Sequence, residues 1–247
     1  MTGVLVAIGI VVLGVAVSAW RGLGLEREVG IAAARATVQL TVVGTIVTLV
    51  FEHVGLAAGF VGVMLTAAAI TSGRRLHGIS SPAGRAGAAI ALGAATGLAP
   101  LLASGAFELT PRELIPVAGI LIGGAMAATS LTGRRLLETI EDGLPGIEAR
   151  LALGAGALEA LAPAARRAVT TGLIPALDQT KNVGLVTLPG TFVGLVLGGA
   201  DPAEAARIQL TVLLALLGVE VVAAAACAAL VTRACVRPGE RVEPSGG

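Results

Sequence analysis

Apolar residues in this chain fall in long stretches rather than in the short periodic runs of a water-soluble fold. Seven such stretches stand at 3–20, 31–50, 54–73, 86–106, 114–132, 183–200 and 208–232. A helix that crosses the hydrocarbon of a bilayer needs about 20 predominantly apolar residues. The pattern predicts an all-α integral membrane protein with about seven transmembrane helices, forming one transmembrane domain over 1–247. No basic residue precedes the first stretch and no small-residue cleavage pattern follows it, so it reads as a retained helix rather than a signal peptide.

Composition supports the same class. Hydrophobic residues make up 55% of the 247 and charged residues 13%; soluble domains carry about 25% charge. A soluble enzyme, a nucleic-acid binder and a disordered chain are thereby excluded, and no nucleic-acid partner is expected. The 35 glycines suit packed membrane helices, where small residues let backbones approach. The formal net charge of +1 implies no bulk electrostatic partner. Cys227 and Cys235 form no CxxC and suggest no disulfide framework.

Arginine placement sets the orientation, because cytoplasmic loops are enriched in Lys and Arg. With the N-terminus outside, 13 arginines fall on inner segments and only Arg112 and Arg207 on outer ones; Arg35 and Lys181 stand at span edges. The expectation is an outer N-terminus, a cytoplasmic C-terminus and a multi-pass protein of the inner or plasma membrane. Ser72-Gly73-Arg74-Arg75-Leu76 and Thr132-Gly133-Arg134-Arg135-Leu136 echo each other, both closing odd-numbered spans on the inner face.

The one sizeable inner segment is 133–182. Pro145 suits the first turn of a helix. Leu144, Ile147 and Leu151 recur on one face, and Gly154 and Gly156 end the run before a second helix at 157–170. Two readings stay open: an amphipathic helix on the inner leaflet, or a protruding knob that docks a cytoplasmic partner. Glu148-Ala149-x4-Gly154 resembles the cytoplasmic loop through which ABC importer permeases contact their ATPase. A short disordered tail is expected at about 236–247.

Polar residues at membrane depth supply the remaining candidates. Arg35 and Gln39 sit one turn apart and share a face; Arg35 either snorkels to the interface or joins Gln39 in lining an inner vestibule. Asp178, Gln179, Thr180, Lys181 and Asn182 cluster where the inner helix enters span six. Asp178 and Lys181, at i and i+3, are expected to pair, either as a structural ion pair or as part of a relay. Thr187-Leu188-Pro189-Gly190 interrupts span six. Proline removes a helical donor, and broken backbone inside a membrane is tolerated where it is buried in protein or lines a cavity. Pro116 and Gly119 bring a similar break to span five, with Gly123 and Gly124 as a close-approach surface. Glu220, with about twelve apolar or small residues on either side, is either a protonated, hydrogen-bonded carboxyl or a functional one. Glu52-His53 and Glu108 are outer-face ligand candidates, though solvated loops account for them as well.

Catalytic signals are missing. Lys181 is followed by Asn182, so no phosphate-binding loop is present, and His53 and His77 make no HExxH. No cofactor is expected on this chain, and no metal site is readable in it.

The most specific run is Ile174-Pro175-Ala176-Leu177-Asp178-x2-Lys181-x-Val183-Gly184-Leu185-Val186-x-Leu188-Pro189-Gly190, followed by Gly199-x-Asp201-Pro202 and Gln209. With Arg35-x3-Gln39-Leu40-x3-Gly44 and Leu151-x-Leu153-Gly154-Ala155, it resembles the FetB-type permeases, membrane subunits of bacterial iron-export ABC transporters whose plant relatives are linked to aluminium tolerance. The resemblance runs from about span two to span seven. In span five, Ile120 and Gly124 stand where that family carries Met and Asn. The resemblance implies a permease homodimer exporting a metal ion such as iron, docked on a separate cytoplasmic ABC ATPase that holds the ATP and Mg. It implies coupling to that ATPase through Glu148, Leu151, Leu153, Gly154, Ala155, Asp178 and Lys181. The expected translocation path, drawn from the polar residues and broken backbone above, runs past Arg35, Gln39, Gly119, Thr187, Pro189, Gly190 and Thr191. The competing readings are an autonomous proton-coupled transporter with Glu220 as proton carrier, and a structural membrane scaffold.

Overall fold

The computed structural model describes residues 2–50, 53–239 and 241–242, with the side chains of residues 47–49 outside the description. The chain separates into two compact units, Met1–His53 and Val54–Gly247. The expectation of one domain over 1–247 concerns both together and remains an expectation.

The first unit is a helical hairpin, α1 (Thr2–Arg21) and α2 (Glu26–Val50). Gly22 and Gly24 adopt positive φ in the turn, at 63° and 70°. The Ser18 hydroxyl donates to Glu26 Oε1 at 2.7 Å and accepts from the Leu25 N–H at 3.2 Å. One serine therefore ties the end of α1 to the start of α2.

The second unit contains α3 (Val54–Gly73), α4 (Pro82–Ala103), α5 (Pro111–Asp142), α6 (Leu144–Ala152), α7 (Ala157–Gly172), α8 (Ile174–Asn182), α9 (Gly190–Leu197) and α10 (Pro202–Cys235). Asp201 caps α10, accepting from the Ala203 and Glu204 N–H groups at 2.9 and 3.1 Å. Pro202 follows at the first helical position, where its missing donor costs nothing. Val236–Arg237 (β1) pairs antiparallel with Arg241–Val242 (β2). Part of the tail expected to be disordered is thus a short hairpin; Glu240 and residues 243–247 lie outside the described residues.

Among the described residues six helices are long and apolar enough to cross a membrane: α1, Glu26–Ile46 of α2, α3, α4, α5 and α10. The seventh expected span, 183–200, is not a helix of that kind. Within it only the eight residues of α9 are helical, because Gly184 (φ +84°) and Pro189 interrupt the run.

Contacts fix the directions of the long helices. On α5, Gly124 faces Glu220 and Gly133 faces Cys227, so α5 and α10 run the same way. On α4, Gly97 faces Val219 and Gly93 faces Ala223, so α4 runs opposite to α10. A Cβ at Gly93 would stand 2.8 Å from the Ala223 Cβ and 2.9 Å from the Val219 carbonyl; glycine there sets how closely two backbones approach. Gly119 against Met64 and the 2.8 Å hydrogen bond between the Ser72 and Ser130 hydroxyls make α3 parallel to α5.

Among the described residues two large apolar cores result, with a small third cluster of Ala128, Leu173 and Ala224. One, between α3, α4, α5 and α10, holds Ile90, Ala118, Leu121 and Val219. The other lies at the arginine-rich end, where Leu76, Leu136, Ile140, Ile147, Leu161 and Val231 pack together. α5 has 32 residues, about 48 Å at 1.5 Å per residue, against a hydrocarbon core of about 30 Å. Its last turns project beyond the apolar span and carry the second core with α6 and α7. The two arginine motifs meet there: Leu76 and Leu136 are both fully buried, and Gly133 packs on Leu76.

Candidate functional site

Parallel α5 and α10 require the chain to return between residues 142 and 202. Gly172 packs on Thr132, while the start of α7 lies beside Thr139, so α7 runs back along α5. Pro175 and Gln179 of α8 then share a cavity with Glu220 of α10. Val183, Gly184, Leu188, Pro189 and Phe192 share another with Ala206, Gln209 and Leu213. The return is therefore made in pieces, α7, α8, an open segment at 183–189 and α9, antiparallel to α10. The polar cluster of α8, expected at the inner entry to span six, lies deeper. Its Gln179 is level with Glu220, midway along the apolar run of α10 between Arg207 and Arg233.

The open segment has its own geometry. The Asn182 carbonyl accepts from the N–H groups of Leu185, Val186 and Thr187 at 3.3, 2.9 and 3.3 Å, and the Gly184 N–H donates to the Thr187 carbonyl at 2.9 Å. Val183 and Thr187 form an isolated parallel bridge. Pro189, extended at φ −61° and ψ 145°, precedes the first residue of α9. Thr187, Gly190 and Thr191 are exposed and Pro189 is half-buried. Beneath the segment is a cavity of about 320 Å³ lined almost wholly by apolar groups. Its amide is Gln209, 9% exposed, whose Oε1 is buried without a hydrogen-bond partner among the described residues.

The expected ion pair between Asp178 and Lys181 does not form. Both side chains are exposed, and the ion pairs among the described residues are those of Glu138 with Arg134 at 3.3 Å and Arg135 at 3.0 Å. Both side chains extend away from the rest of the unit, so no packing holds one toward the other. The break expected at Pro116 and Gly119 does not form: α5 is continuous from Pro111 to Asp142, with Pro116 in its early turns, and Gly119 packs on α3, where a Cβ would stand 2.8 Å from Met64 Cε. Gly124 is a close-approach glycine, against Leu216 and Glu220, whereas Gly123 faces open space. Arg35 and Gln39 are exposed on α2 of the first unit. Glu52 lies outside the described residues, and the Glu108 N–H donates to Glu113 Oε2 at 2.6 Å.

The inner knob forms as helix, turn, helix. Ile147 is buried and Leu151 half-buried against the second core, while Glu148 points outward. Leu153 closes the turn at 89% exposure. Gly154 follows at φ +93°, a conformation that disfavours any side chain, and Ala155 is half-buried. Two roles escaped the sequence reading: Gln209 as an orphaned amide beneath the break, and Gln179 as the neighbour of Glu220. Both are amides at membrane depth, and that was the legible signal.

Comparison with known proteins bears on this architecture. No solved structure matches the chain. The rice UPF0014 membrane protein STAR2 is 37% identical over 218 residues, covering 87% of this chain and 76% of that protein. The Arabidopsis thaliana protein ALUMINUM SENSITIVE 3 is 35% identical over 214 residues, covering 86% and 78%. The probable iron export permease protein FetB of Escherichia coli K12 is 33% identical over 213 residues, covering 85% and 82%. The family model described as an uncharacterised protein family, UPF0014, matches residues 1–236. With its apolar helices, this chain is a multi-pass α-helical protein of the cell membrane, and it belongs to the UPF0014 family.

Proposed function

We propose that this chain is the permease subunit of an ABC transporter, exporting a metal ion such as iron with ATP hydrolysed by a separate cytoplasmic subunit. The observation that carries the reading is the interrupted return along α10, in a chain similar to a probable iron export permease. Exposed backbone and polar side chains at membrane depth need a partner other than lipid. A second copy, paired across a two-fold axis around a shared path, supplies one. Thr187, Pro189, Gly190 and Thr191 are the proposed path residues of the second unit, and Arg35 and Gln39 are separate path candidates on the first. The chain performs no chemistry on its cargo and needs no cofactor itself; ATP and Mg sit on the partner.

Coupling enters at the α6–α7 turn. Glu148, Leu151, Leu153, Gly154 and Ala155 meet the ATPase, and α7 carries its motion to α8, where Asp178 and Lys181 stand next to the break. The arginine-rich end faces the cytoplasm and the N-terminus faces outside. Leu153→Arg tests this more cleanly than a change at Gly154, because Leu153 is exposed and has no positive φ to strain. The variant should fold and insert like wild type, lose co-purification with its ABC ATPase, and lose ATP-driven iron uptake into inverted vesicles. Full co-purification and transport in Leu153→Arg would sink the docking site.

Glu220 favours a second reading, a proton-coupled carrier working alone. Iron movement that persists without any ATPase and collapses with the proton gradient would establish it.

A further inference from the structure

Glu220 is 7% exposed, at the centre of the apolar run of α10, and has no hydrogen bond or ion pair among the described residues. Packing has not displaced it. α5 presents Gly124 to the carboxylate, where a Cβ would stand 3.0 Å from Oε1, followed by Ala127 and Ala128 along the same cavity. α7 ends nearby at Gly172, and α8 brings Gln179 into the same cavity. Small residues on two helices thus leave about 90 Å³ open beside a buried carboxylate and an amide. At about 30 Å³ per molecule, that is room for about three waters. α8 ends three residues beyond Gln179, so the negative end of its dipole lies in the same region.

We propose that Glu220 and Gln179, joined in this cavity between α5, α8 and α10, form a binding site for a small hard divalent cation that keeps part of its water. A carboxylate and an amide carbonyl are hard oxygen donors, suited to such ions rather than to soft ones. Two protein oxygens do not complete a coordination shell, and water in the remaining cavity does. The bound charge neutralises a carboxylate that otherwise stands unpaired at membrane depth. This deepens the permease reading by placing the cargo between α10 and the broken return, and it rests on that reading for its role in transport.

The test is equilibrium binding of Mn²⁺ alone to the purified full-length chain in detergent, followed by electron paramagnetic resonance of the free ion. Wild type should bind one ion per chain with highest affinity. Glu220→Gln should weaken that site by about tenfold or more, since affinity follows ligand charge. Gln179→Glu adds a second carboxylate to the same cavity and should tighten binding by about tenfold. Glu204→Gln, in the first turn of α10, should change nothing. Absence of any wild-type site, or equal binding in wild type, Glu220→Gln and Gln179→Glu, overturns the proposal and leaves Glu220 a protonated carboxyl. If Glu220→Gln does not fold, Gln179→Glu decides. Because the assay contains no ATPase and no transport step, its result separates the two ideas. A chain that binds Mn²⁺ as expected but exports no iron with ATP refutes the transporter reading only; a chain that exports iron while Glu220→Gln binds Mn²⁺ normally refutes this site only.

Discussion

The arginine-rich end and the broken return differ in how completely the chain covers itself. At the arginine-rich end α6 and α7 lie on the projecting turns of α5 and α10, and Leu136, Ile140, Leu161 and Val231 are fully buried. Along the return, Leu185 is 90% exposed, and Val186, Leu188 and Leu197 also stand clear of the rest of the unit. The first region is held by its own core. The second holds few contacts of its own, so its conformation depends on what covers it. Low local packing is where proteins place segments that move.

The largest expected effect tests that contrast directly. Leu161→Ala opens a cavity in the arginine-rich core and should cost about 2–5 kcal/mol. Leu185→Ala removes a side chain that touches little and should stay within about 0.5 kcal/mol. Thermal unfolding of the monomer in detergent reads both; equal shifts would erase the distinction. Next comes the seam between α4 and α10. Gly97→Leu must displace Val219 and Leu121, which stand in its way, and overpacking of this kind costs about 1–3 kcal/mol. The same assay should place it between the other two, and no loss would mean that α4 and α10 are not held at this separation.

The long helices were legible because a run of about 20 apolar residues admits few other structures in a bilayer. The glycine turn of the knob was equally plain, Gly154 and Gly156 standing between two helical patterns. The return was misread for an opposite reason. Apolar residues at 183–200 satisfy the length rule for a span, yet Gly184 and Pro189 leave only eight of them in one helix. That the return begins earlier, in α7 and α8, follows from helix directions, which hydropathy does not encode. The cavity that Gln179 and Glu220 both line joins residues 41 positions apart through those same directions.

A smaller effect is expected inside the well-covered region. The Thr129 hydroxyl is fully buried and finds no partner among the described residues, while the Thr129 carbonyl accepts from Cys227 Sγ at 3.4 Å. Thr129→Val keeps the shape and the carbonyl but removes the orphaned hydroxyl. Leaving such a group unpaired costs about 1–3 kcal/mol, so the variant should gain about 1 kcal/mol in the unfolding assay. A loss would show that a water or a second chain satisfies the hydroxyl, making this region less self-sufficient than its packing states.

The smallest effect belongs to the return. Asp178 and Lys181 are three residues apart on α8, exposed and unbridged. If each acts on its own surroundings, Asp178→Asn and Lys181→Met should add in the double variant to within about 0.5 kcal/mol of monomer stability. A structural ion pair would instead give a coupling nearer 1 kcal/mol. The same cycle run on ATP-driven transport separates stability from function. Large losses in both single variants, with no coupling in stability, would place the two charges against the second copy or the path. Additivity in both assays with transport intact would reduce them to surface charges and move the relay elsewhere along the return.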